Sequence, residues 1–218
     1  MNYEQKLLDK DYRLQTFYWI RDKKGFQVLF QRNKAQRDYE SKRHSRNVIL
    51  KSRQLGFTTL EAIDMLDESL FQRNHDSLFI AQDLDTAKDI FGNKIDYAWV
   101  NFPEGLKALY QVNNDSARKL LFDFGDGSRS SITVDSSGRA GTYQRLHITE
   151  FAKVCKDYPD KAKEIFTGAI PAVPTHGRVD IESTAQGSDG LFYDLFWEAW
   201  ERGEPTQPTE FKAHFYNW

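Results

Sequence analysis

Asn47-Val48-Ile49-Leu50-Lys51-Ser52-Arg53-Gln54-Leu55-Gly56-Phe57-Thr58-Thr59 is the stretch whose reading decides the fold. Val48 to Leu50 is a short apolar run suited to a buried strand, and a polar loop with one glycine follows. Thr58-Thr59 then open an apolar-periodic run (Leu60, Ile63, Met65, Leu66, Leu70) that suits a helix. Strand, loop, helix is a geometry that cradles phosphate, because the helix N-terminus aims free N–H groups and a positive dipole end at the anion. Against the phosphate-loop pattern G-x-x-x-x-G-K-[ST], Gly56 and Thr58 hold the second glycine and the hydroxyl positions. Phe57 stands where lysine is usual, and Lys51 where the first glycine is usual. A lysine at the start of the loop reaches the same phosphates from the other side, Arg53 adds a second cation, and Thr58 keeps the hydroxyl that would bind Mg²⁺. The alternative for the loop alone is a strand–turn–helix that binds nothing, with Lys51 and Arg53 solvated.

Outward from this stretch, residues 3 to 20 read as one helix, and Phe26 to Phe30 as a short strand by alternation. Asn33 is an N-cap for a helix from Lys34 to about His44. Downstream come a buried strand at Ser77 to Ala81, a helix from Asp83 to Trp99, and a hairpin of Lys119–Phe124 with Ser130–Val134 around Asp126-Gly127. A small, polar segment (Ser136 to Thr142) leads to a strand from Arg145 to Thr149 that closes on Glu150. A helix at Asp160–Phe166 and a strand at Val179–Glu182 run into Ser183-Thr184-Ala185-Gln186-Gly187. Leu191 to Trp200 is an amphipathic helix, and Glu210 to Phe215 alternates like an edge strand. Strands alternating with helices imply an α/β domain with a central, mostly parallel sheet flanked by helices. Ligands then sit at the carboxyl ends of strands. Lys51–Thr59, Thr149-Glu150 and Ser183–Gly187 all fall at such ends.

Composition bounds the reading. The 218 residues suit one large α/β domain or one domain with small additions. No apolar run is long enough for a membrane helix, so no membrane partner is expected, and the N-terminus has no apolar signal core. A single cysteine, Cys155, excludes an internal disulfide and fits a reducing compartment. Net charge is −2, yet the first 54 residues carry fourteen Lys and Arg against six Asp and Glu. The densest part, Arg32 to Arg53, reads as a solvated helix face or as a surface for polyphosphate or a nucleic-acid backbone. Five scattered histidines lack metal-ligand spacing.

The strand ends carry the chemistry. In phosphoryl-transfer ATPases an apolar strand ends in Asp-Glu, where the Asp holds a Mg²⁺ water and the Glu activates the attacking water. Here Glu150 keeps the second position and Thr149 replaces the first, so Thr149 would meet the metal through water and without charge. Arg139, in a glycine-flanked loop, is either a transition-state arginine acting in its own or a neighbouring subunit, or a solvated loop residue; Arg145 is a weaker candidate. Ser183-Thr184 either sense the γ-phosphate or cap the next helix. The Gln36 amide could read an adenine edge.

Together, Phe30…Gln36, the Lys51–Thr59 loop, Leu146-His147-Ile148-Thr149-Glu150-Phe151-Ala152 and Ser183-Thr184-Ala185-Gln186-Gly187 resemble the ATPase domain of the large terminase subunit of tailed bacteriophages. The resemblance covers roughly Phe26 to Gly187. It implies an additional-strand P-loop NTPase fold of the RecA/helicase-like kind. It also implies ATP hydrolysis with Mg²⁺ that drives viral double-stranded DNA into a procapsid. Gln36 would match the adenine-sensing glutamine. Lys51, Ser52, Arg53, Gln54, Leu55, Gly56, Phe57, Thr58 and Thr59 would form the nucleotide loop, and the catalytic group would be Glu150, assisted by Arg53. Ser183, Thr184 and Ala185 would couple hydrolysis to movement, and Arg139 would complete a neighbour's site in a ring. The implied partners are the small terminase subunit, the portal or procapsid, and further copies of the chain, in the cytoplasm of a bacterial host. The implied domains are a helical extension over 1–25, the ATPase over 26–208, and an edge strand over 209–218 that starts a linker to an absent nuclease domain. A helicase-like nucleic-acid-stimulated ATPase and a nucleotide-binding module that does not hydrolyse are the alternatives.

Overall fold

The computed structural model describes residues 3–138 and 141–217. Its main sheet is built from β3 (Arg46–Lys51), β4 (Asp76–Ile80), β5 (Gln111–Ser116), β6 (Lys119–Asp123), β7 (Arg129–Asp135), β8 (Arg145–Ile148), β9 (Arg178–Ser183) and β10 (Lys212–Tyr216). The order is β10-β3-β9-β8-β4-β7-β6-β5. The six strands from β10 to β7 run parallel, and β6 and β5 continue antiparallel. A separate antiparallel pair joins β1 (Trp19–Arg21) and β2 (Gln27–Leu29). The central parallel strands are buried on both faces, which is why they read as unbroken apolar runs (Val48-Ile49, Leu78-Phe79-Ile80). The α/β architecture with a mostly parallel sheet is therefore the one expected, and β10 is the expected edge strand.

Three segments differ from expectation. The single helix over 3–20 is two, α1 (Tyr3–Leu8) and α2 (Lys10–Thr16), followed by β1. Asp9 caps α2 by accepting from the Tyr12 N–H, which restarts the helix. Leu14 and Tyr18 are fully buried in the same core as the sheet. The helix after β4 is interrupted: α5 (Leu84–Ile90), capped by Asp83, passes through a π-helical turn at Phe91–Asp96 before α6 (Tyr97–Val100). Beyond α7 (Glu104–Lys107), strand β5 and helix α8 (Phe151–Asp157) were unexpected, and the helix at 160 begins at Pro159 as α9 (Pro159–Glu164).

Helix α3 (Lys34–Lys42) and α4 (Phe57–Phe71) flank β3, and α10 (Leu191–Arg202) packs near β3 and β10. Helix α4 carries Leu60, Ile63, Met65 and Leu66 toward the core, but its acidic side is also buried: Glu61, Asp64 and Asp67 are fully shielded. Cations from distant segments balance them. Arg13 bonds both oxygens of Asp67 at 2.9 and 2.7 Å. Lys10 reaches Asp64 at 2.5 Å, and Arg43 reaches it at 2.8 Å.

Two buried histidines make the fold acid-sensitive. Burial pushes His147 on β8 down to about 3, and His214 on β10 down to about 4. In the folded chain both stay neutral at pH 5.5, whereas in the unfolded chain each takes up a proton below about 6.5. Their contribution is complete above that value and declines as pH falls toward the folded pKa, by about 1.4 kcal/mol per unit for each group. Urea unfolding at pH 7.5 and 5.5 should therefore differ by about 2–3 kcal/mol. A free energy that stays flat between the two would contradict this account.

Candidate active site

The loop after β3 is shaped by helix α3. Asn33 and Gln36 form a reciprocal capping box at the start of α3. The Gln36 Oε1 accepts from the Asn33 N–H at 2.8 Å, and its Nε2 donates to the Gly56 carbonyl at 2.8 Å. The Asn33 amide donates to the Leu55 carbonyl at 2.8 Å. Gln36 is thus a clamp on the loop, and only the remaining hydrogen and lone pair of its amide are left to meet a base. Gly56 has φ +74°, and a Cβ there would lie 2.9 Å from Gln36 Nε2, so this position requires glycine. Gln54 adopts the same left-handed region at φ 64° and accepts from Lys23 at 2.8 Å. Helix α4 then begins without a side-chain cap, leaving its first N–H groups toward the loop. The Phe57 ring is buried between Tyr39 and Tyr216, so the usual lysine position serves core packing instead.

Strands β3, β9 and β8 are neighbours, so their carboxyl ends meet on one rim. Lys51 ends β3 with its ammonium 3.0 Å from Glu182 Oε2 and 3.3 Å from Glu150 Oε1. Glu182, fully buried on β9, accepts at Oε1 from the Thr58 hydroxyl at 2.9 Å and from the Thr149 hydroxyl at 2.7 Å. A carboxylate so deeply desolvated costs several kcal/mol unless paired, and here one ammonium and two hydroxyls compensate it. Glu150 follows Thr149 in a left-handed conformation, φ 51°. This turns its side chain off the strand line, and the carboxylate is about one-third exposed (32%). The Thr184 hydroxyl donates to Glu150 Oε2 at 3.1 Å, and Ser183 Oγ accepts the Ala152 N–H at 3.1 Å. Both hydroxyls at the end of β9 therefore hold the turn that carries Glu150.

Of these groups Lys51, Thr58, Glu150 and Thr184 border a cleft of about 440 Å³, whereas Glu182, Thr149 and Ser183 are buried and do not line it. Lys51, Arg53, Gln54, Gly56, Phe57, Thr58, Thr59, Glu150 and Thr184 line it, as the sequence suggested. Ser52 and Leu55 do not: Ser52 lies against the β10 side, and Leu55 packs on the core. Ala185 lines an adjoining apolar hollow with Phe192 and Trp197. Gln186, from the Ser183–Gly187 stretch, also lines the cleft, and so do Gln82, Lys94 and Lys153, which were not anticipated. Lys94 sits on the π-helical turn, and its ammonium donates to Thr59 Oγ1 at 3.0 Å. Among the described residues no carboxylate pairs with Lys94, and burial pulls its pKa down. A half-buried lysine without a counter-ion, beside a helix N-terminus, is a group that an anion would satisfy. The only available signal in the sequence was the glycine at 92 inside a long helical pattern.

The basic stretch divides: Lys34, Arg37 and Lys42 are exposed on α3, as a solvated helix face requires, while the other cations are drawn into the fold. Arg32 pairs with Asp11 and Glu40, Arg43 with Asp64, and buried Arg46 donates to the carbonyls of Val173, Pro174 and Gly177. Only Lys51 and Arg53 of that set turn to the cleft. Arg139 lies outside the described residues. Arg145 is corrected as a finger candidate: it is 1% exposed and bonds Asp64 at 2.6 Å and Glu68 at 2.5 Å, with Glu61 and Asp180 completing its shell.

No protein-family model matches the chain, and neither does any curated protein. Solved structures do. The large terminase ATPase domain of Thermus phage P74-26 superposes with a TM-score of 0.60 at 18% identity, over 86% of this chain and 81% of that one. The large terminase of bacteriophage HK97 gives 0.68 at 15% identity, over 99% of this chain but 44% of its own length. A large terminase from a thermophilic bacteriophage, solved with ATP-γ-S, gives 0.51 at 10% identity, over 79% of this chain and 39% of that one. The fold is that of large-terminase ATPase domains, a P-loop NTPase fold.

Proposed function

We propose that the cleft binds ATP and hydrolyses it, and that hydrolysis drives double-stranded DNA into a viral procapsid. The observation that carries this reading is the convergence, on the rim of a terminase-type sheet, of Lys51, Arg53 and Lys94 with a free helix N-terminus and one exposed carboxylate, Glu150. The cations and the helix N-terminus neutralise and orient a polyphosphate chain. Glu150 orients the attacking water and accepts its proton. Hard hydroxyl oxygens at Thr58 and Thr149, which share the Glu182 carboxylate, would suit Mg²⁺. Bound Mg²⁺ would supply neutralisation of the β- and γ-phosphate oxygens. Thr184 links Glu150 to the end of β9, so a shift of Glu150 on phosphate release is transmitted to Ser183-Thr184-Ala185.

The same reading assigns Arg139 to a neighbouring copy's site in a homo-oligomeric ring. It places the small terminase subunit and the portal as partners, in the host cytoplasm. Support comes from the fold likeness and the loop motif; the structures it resembles are phage large terminases by name.

The test is equilibrium ATP binding and Mg²⁺-dependent phosphate release by the purified chain, alone and at rising concentration. Lys94→Ala should weaken ATP binding by about 10-fold, equivalent to ~1.4 kcal/mol, without changing the circular dichroism spectrum. An affinity within twofold of the parent would remove Lys94 from the site. Absence of any ATP binding would end the nucleotide reading, and binding without turnover at any concentration would leave a nucleotide-binding module.

A further inference from the structure

We infer that Glu182 is the charged group of the Mg²⁺ site, standing in from β9 for the aspartate that β8 lacks at Thr149. The inference rests on the nucleotide reading of the same cleft and adds a residue to it. P-loop ATPases pair the loop hydroxyl with an acidic residue at the end of the strand that precedes the catalytic glutamate. In this chain that position is Thr149, which offers no charge.

The parallel register supplies the replacement. Ile148 of β8 lies opposite Ile181 of β9, so residue 182 stands beside residue 149 at the rim. Neighbours in a parallel pair project on the same face. The Glu182 carboxylate consequently reaches the place that an aspartate at 149 would occupy. One oxygen, Oε1, accepts from both hydroxyls expected to frame the ion, Thr58 at 2.9 Å and Thr149 at 2.7 Å. The other, Oε2, lies 3.0 Å from the Lys51 ammonium but outside hydrogen-bonding geometry. Nothing else acidic on the described rim touches Thr58. Glu150 is directed to Lys51 and Thr184 instead, which separates the two carboxylates by role.

A counter-charge for Lys51 alone would explain Oε2 but not the double acceptance at Oε1. A site for a hard cation accommodates both, because each hydroxyl can donate to the carboxylate while its lone pairs stay available to an ion. A cation held there would share the charge that now faces Lys51.

The experiment measures Mn²⁺ affinity by loss of the free-ion electron paramagnetic resonance signal, in the presence of a saturating non-hydrolysable ATP analogue. Binding of the analogue in EDTA is measured alongside. Glu182→Gln keeps the shape and removes the charge. It should weaken Mn²⁺ by about 10-fold or more while analogue binding in EDTA is retained or tightened, since the charge facing Lys51 is also removed. Adding Thr149→Asp to Glu182→Gln returns the charge to the usual strand and should restore Mn²⁺ affinity to within about threefold of the parent. Should Glu182→Gln fail to fold, the double variant compared with the parent carries the test alone. Unchanged Mn²⁺ affinity in folded Glu182→Gln, or a double variant still 10-fold weaker than the parent, would overturn the assignment of Glu182. If the parent itself does not bind the analogue, the nucleotide reading falls first and independently.

Discussion

Replacing Glu150 by glutamine lowers kcat for ATP hydrolysis by about 10²-fold or more and leaves ATP affinity equal to or slightly better than that of the parent. The expectation follows from how Glu150 is held. Its left-handed backbone takes it off the end of β8 and into the cleft. Lys51 holds Oε1 at 3.3 Å and Thr184 holds Oε2 at 3.1 Å. Glutamine retains the volume and accepts the Thr184 hydrogen bond through its amide oxygen, but it cannot take a proton from water. Removing one negative charge from a cleft proposed to take polyphosphate relieves repulsion, so ground-state binding should not suffer. Single-turnover phosphate release, beside equilibrium binding of ATP, separates the two effects. Turnover within twofold of the parent would assign the base elsewhere on the rim.

Replacing Arg145 by methionine is the most damaging change expected for the fold, with a loss of about 3–5 kcal/mol. Arg145 is 1% exposed and faces Glu61, Asp64, Glu68 and Asp180. Arg178 shares Asp64 and Glu68 at 2.8 and 3.1 Å but cannot reach Glu61. Methionine fills most of the volume and strands carboxylates that have no access to water. Arg145→Lys should recover only part of the loss, since one ammonium cannot span the carboxylates that a planar guanidinium bridges. Urea unfolding at pH 7.5 reads both variants. A methionine variant within 1 kcal/mol of the parent would mean that the carboxylates are protonated in the fold and need no cation.

Much of the site was legible in the sequence because its parts are contiguous. A buried strand, a loop with one glycine and a helix form a local unit, so Lys51, Arg53, Gly56 and Thr58 could be placed before any tertiary contact was known. Glu150 was legible for the same reason, as the residue closing an apolar strand. Ser183-Thr184 was legible as the end of another. Asn33 was recognised as a helix cap, and it accepts from the Gln36 N–H three residues on.

What the tertiary structure alone decided depends on which strands lie side by side and where a helix loses its regular turn. Glu182 reads along β9 as one more residue of a strand, and only the β8–β9 register sets it against Thr149, Thr58 and Lys51. Lys94 belongs to a helix far along the chain, and the π-helical turn brings its ammonium to Thr59. Arg145, Arg32 and Arg43 looked available to a ligand because charge counted along a chain says nothing about the partner. Folding gave them Glu61, Asp64, Glu68 and Glu40. Local sequence determines the conformation of a loop and the identity of its end groups. The partner of a buried charge is fixed by packing between elements distant in sequence, because desolvation makes an unpaired charge too costly to leave.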